Sequence, residues 1–169
     1  MSNLNGIFVS LTTAGQWWAG TNDHLYLGVV GTVGGREFAL NVEGFDDFEE
    51  GTVVTYSIGP GAEVFGGRIP DTAPGALAEM TICQPNVTHV YLRKQGDRTH
   101  DGDDAWRLSS VLIYLIANST PTRIFVSTGP ATLGNEHGLQ LWLAEVGHQG
   151  DFLDARIPVD GVADCDRDE

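Results

Sequence analysis

Residues Ala19 to Ile58 read AGTNDHLYLGVVGTVGGREFALNVEGFDDFEEGTVVTYSI. Two alternating apolar runs flank Gly34-Gly35, and amide and acidic residues stand at both outer ends. Apolar–polar alternation marks a half-buried strand, and paired glycines between two such runs mark a two-residue hairpin. A hairpin centred on Gly34-Gly35 sets Asp23 against Asp46 and Asn22 against Asp47. Like charges facing one another destabilise a strand pair. A bound cation reverses that sign, so the pattern points to a metal at one end of the sheet.

Strand signals continue on both sides of this stretch. Gly6 to Thr12 alternates Ile7, Val9 and Leu11. Asp23 to Val33, Arg36 to Leu40 and Thr52 to Ile58 form the strands of the opening stretch itself. Val87 to Arg93, Arg123 to Ser127 and Gln140 to Ala144 read as further strands. Leu108 to Ile116 is a nearly continuous apolar run, the pattern of a central strand covered on both faces. Gly59 to Asn86 breaks the series with Pro60, Pro70, Pro74 and Pro85; a short helix is expected only over Gly75 to Cys83. The prediction is an all-β chain: a two-sheet antiparallel β-sandwich of about eight strands, interrupted by one Pro/Gly-rich insertion. Residues 1–146 form the sandwich, and 147–169, ending in ADCDRDE, form an acidic segment expected to be partly mobile.

The 169 residues correspond to about one domain, large enough to bury a core without disulfides. Cys83 and Cys165 give neither a disulfide framework nor a thiolate metal site, and whether they pair stays open. A net charge of −14, from 23 acidic and 9 basic residues, excludes nucleic acid as a partner, because phosphate neutralisation needs basic clusters. It also opposes direct attraction to an anionic membrane, although a divalent cation can bridge acidic loops to lipid phosphate. Lys94 is the only lysine. MSNLNGIFVSLTT lacks the basic and apolar regions of a signal peptide, and no run has membrane-spanning length, so any membrane contact is expected to be peripheral. Localisation stays open, with a calcium-rich extracellular setting compatible.

Four segments carry a family resemblance. They are AGTNDHLYLGV (Ala19 to Val29), DDFEEGTVVTYSI (Asp46 to Ile58), HVYLRK (His89 to Lys94) and DDAWRLSSVLI (Asp103 to Ile113). In this order the chain resembles the PLAT (lipoxygenase-homology) domain family, and is most similar to the C-terminal membrane-binding domains of clostridial phospholipase C toxins. The likeness runs over about two thirds of the chain, Ile7 to Val126. It implies a sandwich whose loops at one end bind calcium, lipid surfaces or partner proteins, with no catalytic activity of its own.

Calcium takes six to eight oxygen ligands. By position, the resemblance assigns carbonyls of Gly20 and Thr21, side chains of Asn41 and Asp47, a carbonyl of Gly44, the neighbouring Asp46, and the carboxylate and carbonyl of Asp104 and Ala105. Trp18 stands where the toxin-like pattern has an aspartate, and Asn41 is neutral where that pattern is acidic. Fewer charges weaken calcium binding. Acidic residues also serve simply to solvate turns. Trp17 and Trp18 adjoin the site, and amphipathic indole rings suit a water–lipid interface. Trp106 opens a strand and is expected in the core. Trp142 alternates with Leu141 and Leu143 and is expected either as a second contact or as the cover of a sheet edge.

Other motifs carry no chemistry. The five histidines lack zinc-ligand spacing, no serine has a nucleophile-elbow context, and GVVGTVGG lacks the helix and lysine of a phosphate loop. Glu49 and Glu50 read as a solvated face. The leading expectation is a non-enzymatic, calcium-binding sandwich that docks on a phospholipid membrane surface or a protein partner. The alternatives are a carbohydrate-binding module with structural calcium, and a structural or assembly domain.

Overall fold

The structure is a computed structural model and describes residues 4, 6–31, 34–40, 48–58, 87–95, 105–117, 120–127 and 129–146. Ten strands lie among them. They are β1 (Gly6–Thr13), β2 (His24–Gly31), β3 (Gly34–Ala39), β4 (Val53–Ile58), β5 (Val87–Gln95), β6 (Trp106–Ala117), β7 (Thr120–Val126), β8 (Ala131–Leu133), β9 (Gln140–Trp142) and β10 (Ala144–Glu145). A six-stranded sheet runs β10-β7-β6-β1-β4, with β8 also paired to β6, and a four-stranded sheet runs β3-β2-β5-β9. Every pairing is antiparallel. The expected all-β, two-sheet sandwich is therefore present. Residues 59–86 with the helix expected at 75–83, the acidic segment 147–169 and both cysteines lie outside the described residues.

Period-two alternation builds the core. Ile7, Val9 and Leu11 of β1 and Ile113 and Leu115 of β6 point inward from one sheet. Leu25, Leu27 and Val29 of β2 and Val90 and Leu92 of β5 meet them from the other. Antiparallel sheets that bury one face show this alternation. The run in β6 is a partial exception to expectation. The strand is central, but Ser109 and Ser110 are exposed and Leu112, Tyr114 and Ile116 only half-buried, so one of its faces stays open. Short strand β8 had no run long enough to mark it, and Gln140 to Ala144 splits between β9 and β10. Arg123 of β7 binds both carboxylate oxygens of Glu145 at 2.6 Å and also donates to the carbonyl of Val87 at 2.6 Å. Val87 opens β5, so this side chain ties the two sheets together.

The β2–β3 register corrects the sequence reading. The hairpin is not centred on Gly34-Gly35. Gly31 pairs with Gly34, Val29 with Arg36 and Tyr26 with Ala39, so partners lie four residues from the expected ones. The register that set Asp23 against Asp46 and Asn22 against Asp47 is therefore not the one observed over Tyr26–Gly31 and Gly34–Ala39; Asp46 and Asp47 themselves lie outside the described residues. Gly34 and Gly35 belong to β3. A Cβ on Gly35 would come within 2.9 Å of the Val29 carbonyl oxygen, so close approach of two strands requires glycine there. The displacement is even, and every inward side chain consequently keeps its face.

Candidate ligand-binding rim

One end of the sandwich is assembled by the loop from β1 to β2, the turn before β4 and the start of β6. Trp106 anchors it from below. Its ring is fully buried, meets Phe48 edge-on at 5.7 Å and donates its indole N–H to Thr13 Oγ1 at 3.0 Å. Above it, backbone bonds cross between the three segments. The Arg107 amide donates to the Ala19 carbonyl (2.9 Å) and the Thr21 amide to the Phe48 carbonyl (3.2 Å). The Ala14 amide donates to the Arg107 carbonyl (2.8 Å), and the Gly51 amide to the Ala14 carbonyl (3.1 Å). Gly20 is required by this crossing: a Cβ there would lie 2.9 Å from the Phe48 carbonyl oxygen. The described flanks of the three acidic loops thus meet within hydrogen-bond distance.

Gln16 to Ala19 forms a tight turn, closed by the Ala19 amide on the Gln16 carbonyl at 3.0 Å. Trp17 and Trp18 are its two central residues, and both rings are exposed, at 81% and 84%. Trp18 has φ 64°. A left-handed residue in the third position of a turn is ordinarily glycine or asparagine, and a bulky side chain there costs about 1–2 kcal/mol. Beside the turn opens a cleft of about 540 Å³, lined by both tryptophans, Gly20, Thr21, Asn22 and the two glutamates Glu49 and Glu50. The glutamates were legible only as a solvated acidic pair. Their adjacency to Phe48 is the signal, because that residue's carbonyl pins the turn against Thr21.

Below the rim, Asp23 and Lys94 form an ion pair. Both are buried, Lys94 to 1% exposure and Asp23 to 7%. Asp23 precedes β2, and its amide donates to Thr21 Oγ1 at 3.1 Å. Lys94 lies near the end of β5. The charge that answers Asp23 therefore comes from the only lysine of the chain.

Of the expected ligands, Gly20, Thr21 and Ala105 are described. Gly20 and Thr21 line the cleft, and Ala105 immediately precedes Trp106 and Arg107 at the same end. Asn41, Gly44, Asp46, Asp47 and Asp104 lie outside the described residues. Among the described residues, no three His, Cys, Asp or Glu side chains group as a metal site.

A second aromatic surface lies on the outer face of the four-stranded sheet. Trp142, half-exposed on edge strand β9, meets Tyr91 at 5.0 Å and His89 at 5.4 Å on the neighbouring β5. Tyr91 lies across Gly28, where a Cβ would fall 2.0 Å from its ring. Glu37 accepts from the Tyr91 hydroxyl at 2.9 Å and from two Arg93 nitrogens at 2.7 Å. The Arg93 hydrogen bonds hold the Glu37 carboxyl below its ordinary range, against the opposing effect of burial. Burial first, and then the bond to Glu37, push the Tyr91 hydroxyl up.

No family model matches the chain. Among solved structures, an alpha toxin from Clostridium absonum superimposes with a TM-score of 0.56 at 19% identity, over 85% of this chain and 32% of the toxin. A coral 8R-lipoxygenase, described as activated by calcium through a C2-like domain, superimposes with a TM-score of 0.52 at 18% identity. That match covers 83% of this chain and 17% of the lipoxygenase. The chain thus spans about a third or less of the solved proteins it matches. At these identities the likeness is one of fold, and the fold is a PLAT-like β-sandwich.

Proposed function

We propose that this chain is a non-catalytic, calcium-binding module that docks peripherally on phospholipid membranes. One observation carries the reading: Trp18 occupies a strained left-handed turn position and still leaves its ring, with that of Trp17, in water. Strain of this kind persists where function requires it. The fold gains nothing from an indole held in solvent. A lipid interface does, and burying each ring contributes on the order of 2 kcal/mol to docking.

Calcium supplies the missing positive charge on a chain of net charge −14. The proposed donors, from Gly20, Thr21, Asn41, Gly44, Asp46, Asp47, Asp104 and Ala105, are oxygens throughout. That set fits a hard cation and not zinc. Crossing of the three loop flanks at one rim supports a shared ion, as does the calcium-activated C2-like domain of the coral lipoxygenase. When bound, the ion would neutralise the acidic loops and coordinate a lipid phosphate. The residues of the chain hold the loops together, expose the two rings and exclude water beneath the rim with Phe48 and Trp106. Among the described residues no helix is long and apolar enough to cross a membrane.

Co-sedimentation with phospholipid vesicles tests this. Binding in calcium and release by chelator are expected. Equal partitioning in both conditions contradicts calcium-dependent docking. The Trp142–Tyr91 surface favours a second reading, carbohydrate binding, because exposed aromatic rings stack on sugars. Binding on a glycan array that Trp142→Ala abolishes, without vesicle binding, would establish it instead.

A further inference from the structure

We infer that the outer edge of β4 is a homodimer interface, on which two copies of this chain join their six-stranded sheets through an antiparallel β4–β4 pair. The path of that sheet ends at β4, and among the described residues no strand pairs with its far side. The direction of its backbone groups follows from one bond. The Thr13 amide donates to the Thr52 carbonyl at 2.9 Å. Antiparallel pairs alternate between those that exchange hydrogen bonds and those that do not. The β1–β4 register runs unshifted from Thr12–Val53 to Ile7–Ile58. Leu11–Val54, Val9–Tyr56 and Ile7–Ile58 are consequently the bonded pairs. The N–H and C=O groups of Val53, Thr55 and Ser57 point away from β1.

An open row of amides and carbonyls is a template for another strand, and proteins ordinarily guard such an edge with charge, proline, a bulge or shortness. The other sheet ends are guarded. β3 carries Arg36 and Glu37, β9 has three residues and β10 has two. β4 reads VVTYSI over six residues, with no charge, no proline and no bulge, and Val53 is 64% exposed. Two features select a second copy as the partner. The outward groups are self-complementary. About a two-fold axis at Thr55, Val53 of each chain meets Ser57 of the other and Thr55 meets Thr55, each pair exchanging two hydrogen bonds. The second feature is charge. At a net charge of −14, two copies repel one another over most of their surface. They meet without repulsion along β4 and beside it, where Phe8, Ser10 and Thr12 share the outer face of the sheet. Glu49 and Glu50 fall beyond the paired residues.

Sedimentation velocity of the full chain in chelator, from micromolar to millimolar protein, tests the interface apart from calcium and lipid. A shift from monomer to dimer is expected. Thr55→Lys sets two lysines against each other across the axis and should weaken the dimer at least about tenfold. Thr55→Pro should do the same, because it removes an outward N–H that β1 does not use. A parent that stays monomeric overturns the interface, and so does a dimer of unchanged strength in either variant. Amide exchange by NMR decides the matter on the parent alone, whether or not a variant folds. The Val53, Thr55 and Ser57 amides should slow several-fold as the dimer fills. Those of Val54, Tyr56 and Ile58, already bonded to β1, should change much less. Exchange at the first three that is independent of protein concentration overturns the proposal.

Discussion

At the scale of single residues, two side chains contradict what local chemistry favours. Trp18 sits at φ 64° with its ring in water. Replacing it with glycine removes left-handed strain and exposes nothing. Trp18→Gly is therefore expected to leave unfolding free energy within about 1 kcal/mol of the parent while weakening vesicle binding roughly tenfold. Urea denaturation alongside co-sedimentation checks both halves, and a large loss of stability would show that the ring packs on the protein. Lys94 is the opposite case, a charge taken out of water. Lys94→Met removes the cation paired with buried Asp23, and a cost of about 3–5 kcal/mol is expected. Adding Asp23→Leu should recover most of it. Additive losses in that double variant would mean that the pair is not coupled. Lys94 was conspicuous in sequence as the only lysine, but its burial was not legible. Its partner comes from the residue just before β2, far off in sequence, and nothing local to HVYLRK announces Asp23.

At the scale of elements, the outer face of β2, β3 and β5 carries a titratable network. Glu37 is held below its ordinary value of 4.5, chiefly by Arg93. A depressed carboxyl contributes stability that is present above its unfolded-state value and lost as pH falls through the folded one. The Glu37 contribution is accordingly intact at neutral pH and disappears on the acid side of 4.5. Carboxyl NMR should find the Glu37 midpoint below that value in the parent and raised in Arg93→Ala. An unchanged midpoint in the variant would refute the pairing. The strands themselves were legible because alternation at period two survives errors of register. The hairpin centre was not. Glycine reads equally as a turn and as a close approach between strands, and Gly35 is the second. The β2–β3 error was even, so the core assignment survived while the facing pairs did not.

At the scale of the whole molecule, two sheets close over one core, and their loop flanks knot together at one end. In sequence, that end is marked by Trp17, Trp18, Gly20 and Thr21. The participation of Glu49 and Glu50 was hidden, because only the crossing of Thr21 with Phe48 brings their turn to the cleft. The central claim is that this end holds calcium in the folded state. A ligand that binds only the folded chain must raise its unfolding midpoint. The direct measurement is the thermal unfolding midpoint of the full chain in millimolar calcium and in chelator, with Asp47→Asn as the control. A midpoint raised by calcium in the parent and much less in the variant is predicted; identical midpoints for the parent in calcium and chelator would contradict the account.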